Sequence, residues 1–267
     1  MKNNENKESH SSRYMVPNLE RALTIIEYLL DYPDGLGLAE LATGLKYPKN
    51  SIFRIAMTLL ARGYLERDDK MKRFKVSRKF LAIGHRVLSD KPIIPLAFDI
   101  MRECRDVVKE SVFIGTLVET EGVVMEQVLG SYSFKFTIDP GMRFKLHVAA
   151  PGKAMLAFLP EAERDSLISR LNLVRFNERT ITSRKALKDE LTRVRESGFA
   201  LDRGEELHGI VCIGAPIFNQ HGYPVAALWI TGPEDRIDEA SYPRIGNLIK
   251  MYADKISQRL GYETSSS

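Results

Sequence analysis

The feature that most constrains the fold is the stretch KNSIFRIAMTLLARGYLERDDKMKRF, residues 49–74. Its first half carries apolar residues at i, i+3, i+4, i+7 and i+8, which is the spacing of one helical face. These residues are Ile52, Ile55, Ala56, Leu59 and Leu60. The opposite face is polar and basic, and a break at Gly63 is followed by a second group of positive charges. The stretch therefore predicts a short helix with a basic tip and a basic loop a few residues behind it.

The neighbouring sequence predicts two helices before this one and a hairpin after it. The first helix would be capped by Asn18 and stopped by the turn-forming run at residues 33–35. The third would begin near Pro48, a residue favoured in a first helical turn. Short extended runs on either side of the charged segment DDKMK predict a small hairpin. Three helices, a tight turn and a hairpin make a winged helix-turn-helix, predicted over residues 15–76.

A recognition helix presents its N-terminal residues to base edges in the major groove, and a wing can reach the flanking phosphates. We therefore predict that seven residues contact double-stranded DNA: Lys49, Asn50, Ser51 and Arg54 on the helix, and Lys70, Lys72 and Arg73 on the wing. Residues 46–86 hold twelve Lys and Arg against three acidic residues, whereas residues 91–267 hold 23 against 24. This asymmetry indicates a polyanion partner for the N-terminal part alone. The ordinary alternative is a solvated face on a helical subdomain.

A second alternative is a small-molecule sensor or enzyme whose basic N-terminal part binds RNA or a protein partner. Readers of single-stranded RNA usually display stacking aromatic side chains. The aromatic residues at the basic tip are Phe53 and Phe74, and both are expected to pack inside the domain. Duplex DNA is therefore the favoured partner.

The rest of the chain has the composition of a globular protein, with 44% hydrophobic and 28% charged residues. Residues 1–14 are polar and lack the apolar core of a signal peptide, so they predict a disordered lead-in. No apolar run approaches the roughly 18 residues of a membrane-spanning helix, so no membrane partner is expected. The two cysteines are far apart and show no metal or redox spacing. A cytoplasmic location is the simplest expectation.

Beyond the wing, the pattern predicts a linker helix over 77–90, an α+β domain over 91–262 and a short tail over 263–267. The domain alternates helices with antiparallel hairpins. Its predicted strands are 111–118, 123–130, one or two between 134 and 148, and a hairpin over 210–231. A final helix is predicted from about 238 to 260.

Several segments, in this order and spacing, resemble one family. They are LERALTIIEYL, LAELATGLKYPKNSIFRIAMTLLARGYLER, KLHVAAPGKAMLAFLP, RTITSRKALKDELTRVRESGFALDRGEE and VCIGAPIFNQHGYPVAALWITGP. The chain resembles the isocitrate-lyase-regulator (IclR) family of bacterial transcription factors. That resemblance implies an N-terminal winged helix-turn-helix, a linker helix and a GAF-like domain that binds a small organic effector. It also implies dimers, often associating into tetramers, on palindromic operators.

The resemblance also implies an effector pocket formed by the start of the GKAMLA helix, an Asp, a Cys ten residues later and the last strand. Carried onto this chain, the implied residues are Phe136, Phe144, Ala150, Pro151, Gly152, Asp202, Ile210, Cys212, Trp229 and Thr231. The chain departs from the family pattern at Pro151, at His208, where a proline is common, and at Trp229, which is usually a serine. These departures bear on which ligand is bound.

Strand alternation supports part of this pocket independently. Cys212 would lie opposite Trp229 or Thr231 if the turn at 219–222 has an even number of residues. The alternative is that these side chains only form the core of the sheet. We expect a small hydroxylated or aromatic organic acid, with its carboxylate on main-chain N–H groups near residues 150–152 and a ligand hydroxyl donating to Asp202.

No motif indicates catalysis. Asp202, Cys212 and His147 could be imagined as a thiol site, but the sequence does not set their geometry, which is what defines such a triad. His208 and Cys212 could suggest a metal, yet four residues apart at the start of a strand they would share a face only by accident. The expectation is a protein that is not an enzyme and carries no cofactor or metal.

Overall fold

A computed structural model of the chain describes residues 15–68, 70–80, 83 and 93–263. It divides into two compact units, 1–90 and 91–267. The predicted lead-in, residues 81–82 and 84–90 of the predicted linker helix and residues 264–267 of the predicted tail lie outside the described residues. Within the described ranges, no helix is both long enough and apolar enough to cross a membrane.

The helices are α1 Pro17–Leu30, α2 Leu38–Leu45, α3 Lys49–Ala61, α4 Ile93–Val108, α5 Ala150–Phe158, α6 Glu161–Arg170, α7 Arg184–Ser197 and α8 Tyr242–Arg259. A short 3₁₀ helix, Glu239–Ser241, precedes α8. The strands are β1 Leu36–Gly37, β2 Leu65–Asp68, β3 Arg73–Val76, β4 Ser111–Val118, β5 Glu121–Val128, β6 Arg143–Lys145, β7 Ala200–Arg203, β8 Ile210–Phe218 and β9 Pro224–Pro233.

The N-terminal unit packs α1, α2 and α3 around one apolar core and adds a sheet of order β1-β3-β2. The apolar face predicted for α3 is buried, with Ile52 fully inaccessible. The predicted cap of α1 by Asn18 was wrong, because the helix begins at Pro17, two residues earlier than predicted, and Val16 stands at the cap without a side-chain hydrogen bond. The expectation that Phe53 packs inside was also wrong: its side chain is 48% exposed, whereas Phe74 is buried.

The C-terminal unit is built on one antiparallel sheet of order β6-β5-β4-β9-β8-β7. Helices α4 and α8 cover one face, and α5, α6 and α7 contribute to the core on the other face. Along β8, Val211 and Ile213 belong to the first core, while Cys212 packs against the second. This alternation follows from the two-residue period of a strand.

Some strand boundaries differ from the prediction. The turn between β4 and β5 is only two residues long, since Val118 pairs with Glu121, and Glu119 takes a left-handed conformation (φ 57°) to close it. Between 134 and 148 the sheet gains a single strand of three residues, β6. The strand β7 was not predicted, because its four residues at a sheet edge give too short a pattern to recognise.

Candidate DNA interface and effector cavity

The recognition helix α3 presents a basic, polar surface opposite its buried face. Lys49, Asn50 and Arg54 are exposed. Ser51 is half-buried, and its hydroxyl accepts a hydrogen bond from Arg21 Nη1 at 3.2 Å. Ser51 therefore holds the start of α3 against α1, and its hydroxyl is less available for a hydrogen bond to DNA.

The wing between β2 and β3 is a tight turn organised by Asp68. Its Oδ1 accepts hydrogen bonds from the main-chain N–H of Met71 at 3.0 Å and of Lys70 at 2.8 Å, and these bonds hold the pKa of Asp68 below its usual range. Lys72 takes a left-handed conformation, φ 53°, which completes the turn. Lys70 and Lys72 are both exposed at this tip.

Arg73, predicted to contact DNA from the wing, is half-buried and makes hydrogen bonds within the unit. Antiparallel pairing places it opposite Gly37, where its guanidinium donates to the Gly35 carbonyl at 2.9 Å and to Glu40 Oε1 at 3.1 Å. The other oxygen of Glu40 accepts from the Gly37 N–H at 2.7 Å. Arg73 thus ties the wing to the start of α2, and five of the predicted residues are exposed: Lys49, Asn50, Arg54, Lys70 and Lys72.

The C-terminal unit contains a cavity of about 330 Å³ beside the sheet face that carries Cys212. Eight of the ten predicted effector residues line it: Phe136, Phe144, Pro151, Asp202, Ile210, Cys212, Trp229 and Thr231. Ala150 and Gly152 do not. A side chain at Gly152 would meet the backbone of Leu146 at 2.5 Å, so this glycine serves the close packing of α5 rather than the cavity. Ala149, which was not predicted, takes part in the lining instead.

The polar end of the cavity is a row across three neighbouring strands. Asp202 on β7 pairs with Cys212 on β8, and Cys212 pairs with Thr231 on β9. The thiol and the Thr231 hydroxyl lie 3.2 Å apart. The structure thus brings together the carboxyl, thiol and hydroxyl groups that the sequence placed on separate segments.

The wall beside this row is aromatic. The ring of Trp229 stacks on Phe113 with centroids 5.4 Å apart and meets Phe144 edge-on at 5.5 Å. The indole fits because β4 carries Gly115 beneath it, where a side chain would meet the Trp229 ring at 3.1 Å. Trp229 is only 2% exposed, so it forms a buried aromatic wall of the cavity.

Charges around the cavity are unusual. Burial raises the pKa of Asp202 to about 7, and this rise is opposed by the nearby charge of Lys153. Lys153 is itself buried and pairs with Glu205 Oε1 at 2.5 Å. Burial also raises the pKa of Glu205 and of Glu206, and Glu206 lines the cavity. The second oxygen of Glu205 has no hydrogen-bond partner among the described residues.

Sequence reasoning missed Arg143, the residue that brings a positive charge to the lining. Its Nη1 lies 3.1 Å from Glu121 Oε2, while Lys145 holds the other oxygen of Glu121 at 2.6 Å. The position of Arg143 directly before the predicted wall residue Phe144 could have indicated that it lines the cavity. Lys153 is a cation inside an otherwise apolar helix, and this could have indicated a buried ion pair.

The groups imagined as a thiol site do not form one. His147 bonds the Val174 carbonyl at 3.0 Å and stacks on Phe176, away from the cavity lining. Burial raises the pKa of the Cys212 thiol well above its usual value, so it stays protonated and is a poor nucleophile. His208 lies 3.4 Å from Glu178, outside the lining. Across the part of the chain that the structure describes, no group of three or more His, Cys, Asp or Glu side chains could hold a metal ion.

Two family models match the chain. The model of the IclR helix-turn-helix domain matches residues 18–69, and that of the bacterial transcriptional regulator IclR C-terminal domain matches residues 85–258. The chain belongs to the IclR family. It is therefore a DNA-binding transcriptional regulator, and the predicted α+β fold with an N-terminal helix-turn-helix is confirmed.

The chain is similar to individual members of the family along most of their length. The regulator KdgR of Escherichia coli K12 is 30% identical over 227 residues, covering 85% of this chain and 86% of KdgR. The crystal structure of Thermotoga maritima IclR is 30% identical, covers 92% of this chain and 99% of that chain, and has a TM-score of 0.72. Relatives of this family are named as transcriptional regulators rather than enzymes, which agrees with the expectation from sequence.

One solved structure of the IclR family carries a ligand. An IclR homologue from Microbacterium hydrocarbonoxydans, complexed with 4-hydroxybenzoate, has a TM-score of 0.77 over 91% of this chain and 98% of its own. At 19% identity it shows likeness of fold alone.

Proposed function

We propose that the protein controls transcription through a small hydroxylated or aromatic organic acid, which binds in the cavity of the C-terminal unit and changes operator affinity. The observation that carries this proposal is the composition of the cavity lining. A row of Asp202, Cys212 and Thr231 offers hydrogen-bonding groups, and the wall of Trp229 and Phe144 suits a flat apolar body. Small-molecule sites combine apolar walls with a few such polar groups.

In this proposal the ligand carboxylate binds Arg143 rather than the start of α5. Ala150 and Gly152 do not line the cavity, and Pro151 has no N–H to donate. Arg143 can turn toward a ligand without leaving Glu121 unpaired, because Lys145 keeps the other oxygen of Glu121. Asp202 is then available to a ligand hydroxyl. The homologue complexed with 4-hydroxybenzoate makes that compound a reasonable first acid to test.

On the DNA side, we propose that α3 enters the major groove, with Lys49, Asn50 and Arg54 near base edges and with Lys70 and Lys72 on flanking phosphates. Their exposure and charge support this arrangement.

A dimer or tetramer on a palindromic operator is part of the same proposal. Helix α1 has a stripe of exposed apolar side chains besides its buried face: Val16, Leu19, Leu23 and Leu30, exposed by 52–65%. They follow helical spacing, so they form one continuous strip. A two-fold protein on a two-fold operator would cover such a strip with a second copy.

The effector proposal is tested by screening organic acids against Trp229 fluorescence and then against DNA binding. A saturable change in both, lost or weakened in Asp202→Ala, is the expected result. Binding sites selected from random duplex DNA supply the DNA probe, and single-stranded RNA is the comparison. Tighter binding of the N-terminal unit's basic surface to RNA than to every duplex would favour the RNA alternative instead.

A further inference from the structure

Helix α3 exposes one large aromatic ring. Phe53 is 48% exposed, although the same helix buries Ile52, Ile55 and Leu59 in a complete core. The core is therefore filled without Phe53, and a phenyl ring left in water carries a cost that a polar residue at this position would avoid. Single exposed apolar residues are common, so the exposure of Phe53 is informative only together with its position on α3.

That position is within the proposed DNA-reading surface. On a helix, residues three and four apart are surface neighbours, so Phe53 lies beside Asn50 and Lys49 and directly precedes Arg54. All three neighbours are exposed. The ring thus forms an apolar spot among side chains that donate to bases and phosphates, in the N-terminal half of the helix that enters the groove deepest.

The major groove offers one apolar group, the C5-methyl of thymine, and apolar side chains contact it. We propose that Phe53 contacts the methyl group of one thymine in each operator half-site and thereby discriminates thymine from cytosine there. This inference rests on the proposed placement of α3 in the major groove. It assigns Phe53 a role in sequence specificity that differs from the hydrogen-bonding role of Asn50 and Arg54.

The test removes the methyl group from the DNA rather than the ring from the protein. Sites are first selected from random duplex DNA with the full chain. Each thymine of the selected site is then replaced singly by deoxyuridine, which lacks only the methyl group. The wild type should lose about fourfold in affinity at one thymine of each half-site, the effect of burying one methyl-sized group.

Two variants complete the test. Phe53→Ala should bind the thymine and deoxyuridine duplexes equally well, and Phe53→Gln repeats the measurement with a side chain of similar reach. Met71→Ala is the control, because Met71 is 66% exposed at the wing tip and apolar as well. It should keep the full dependence on the methyl group. Circular dichroism checks that each variant folds.

Several outcomes would overturn the inference. A selected duplex on which no thymine methyl matters to the wild type would refute it alone and leave the proposed function standing. The same holds if Phe53→Ala keeps the methyl dependence. Failure to select any duplex would refute the proposed function as well. Binding of single-stranded RNA tighter than any duplex, and lost in Phe53→Ala, would mean that the ring stacks on RNA bases instead.

Discussion

Asp202 gives the effector proposal a pH dependence with a definite sign. Its pKa of about 7 means that the carboxyl group is mainly protonated at pH 6 and mainly ionised at pH 8. An acid ligand is an anion at both pH values, and the negative charge of the buried, ionised Asp202 would repel it. The protonated carboxyl group can instead donate to the ligand hydroxyl without this repulsion. The ligand therefore binds the protonated form of Asp202 better, so its affinity is full below the pKa of Asp202 and is lost as pH rises through that pKa.

The magnitude follows from the protonated fraction. About ten of eleven molecules hold the proton at pH 6 and about one of eleven at pH 8, so affinity should fall about tenfold across this range if only the protonated form binds. The charge of Lys153 works against the raised pKa of Asp202, and those of Glu205 and Glu206 reinforce it. These charges together set the pKa of Asp202 and therefore the tenfold change in affinity, and Asp202 is the group that gains or loses the proton.

The assay is a titration of Trp229 fluorescence with a responding acid at several pH values. Asp202→Asn should bind the acid with an affinity that no longer changes between pH 6 and 8, since the amide cannot ionise and can still accept from the Glu205 N–H, as Asp202 does at 2.7 Å. Glu206→Gln is the control for the other acid of the lining. A wild-type affinity that rises with pH, or a pH dependence that survives in Asp202→Asn, would refute this reasoning.

Three further predictions concern the anion, the DNA and the assembly. Arg143→Gln should weaken acid binding by about 10–100-fold, the loss of a charged hydrogen bond, while Lys145→Gln should weaken it less, because Arg143 is kept but is then held by Glu121. Arg54→Ala should lose roughly 1–3 kcal/mol of specific over random duplex binding in gel shifts, whereas Lys72→Ala should weaken both and reduce the salt slope by about one. Equal effects on specificity would contradict these two roles. Leu23→Lys should lower the mass measured by light scattering from that of a dimer or tetramer, and a wild type that is already monomeric at micromolar concentration would contradict the assembly.

Local sequence patterns were sufficient for some elements and for part of the cavity. The buried face of α3 follows from helical spacing, because its four buried residues all lie on one side of the helix. Strand alternation places Cys212 and Thr231 on one face, but the turn 219–223 has five residues, and a register shift between Ile217 and Phe218 restores the pairing expected for an even turn. Such features depend on residues close in sequence.

Other features depend on parts of the chain far apart and were beyond sequence reasoning. Asp202 reaches Cys212 only because the edge strand β7 pairs with β8. The raised pKa of Asp202 depends on burial, and the ion pair of Lys153 joins residues 52 positions apart. The internal role of Arg73 comes from pairing with β1, a strand of two residues. None of these contacts leaves a periodic signal.

The most direct test of the account is a titration that follows both units in the same sample. The full chain is bound to a fluorescently labelled selected duplex, and a responding acid is added while DNA anisotropy and the emission of Trp229, the only tryptophan, are recorded together. At pH 6, where Asp202 is mainly protonated, both signals should change with the same midpoint, and Asp202→Ala should shift both midpoints to higher acid concentration while leaving ligand-free DNA binding intact. An acid that changes DNA affinity without changing Trp229 emission, and acts equally on Asp202→Ala, would contradict the account and place the effector site outside this cavity.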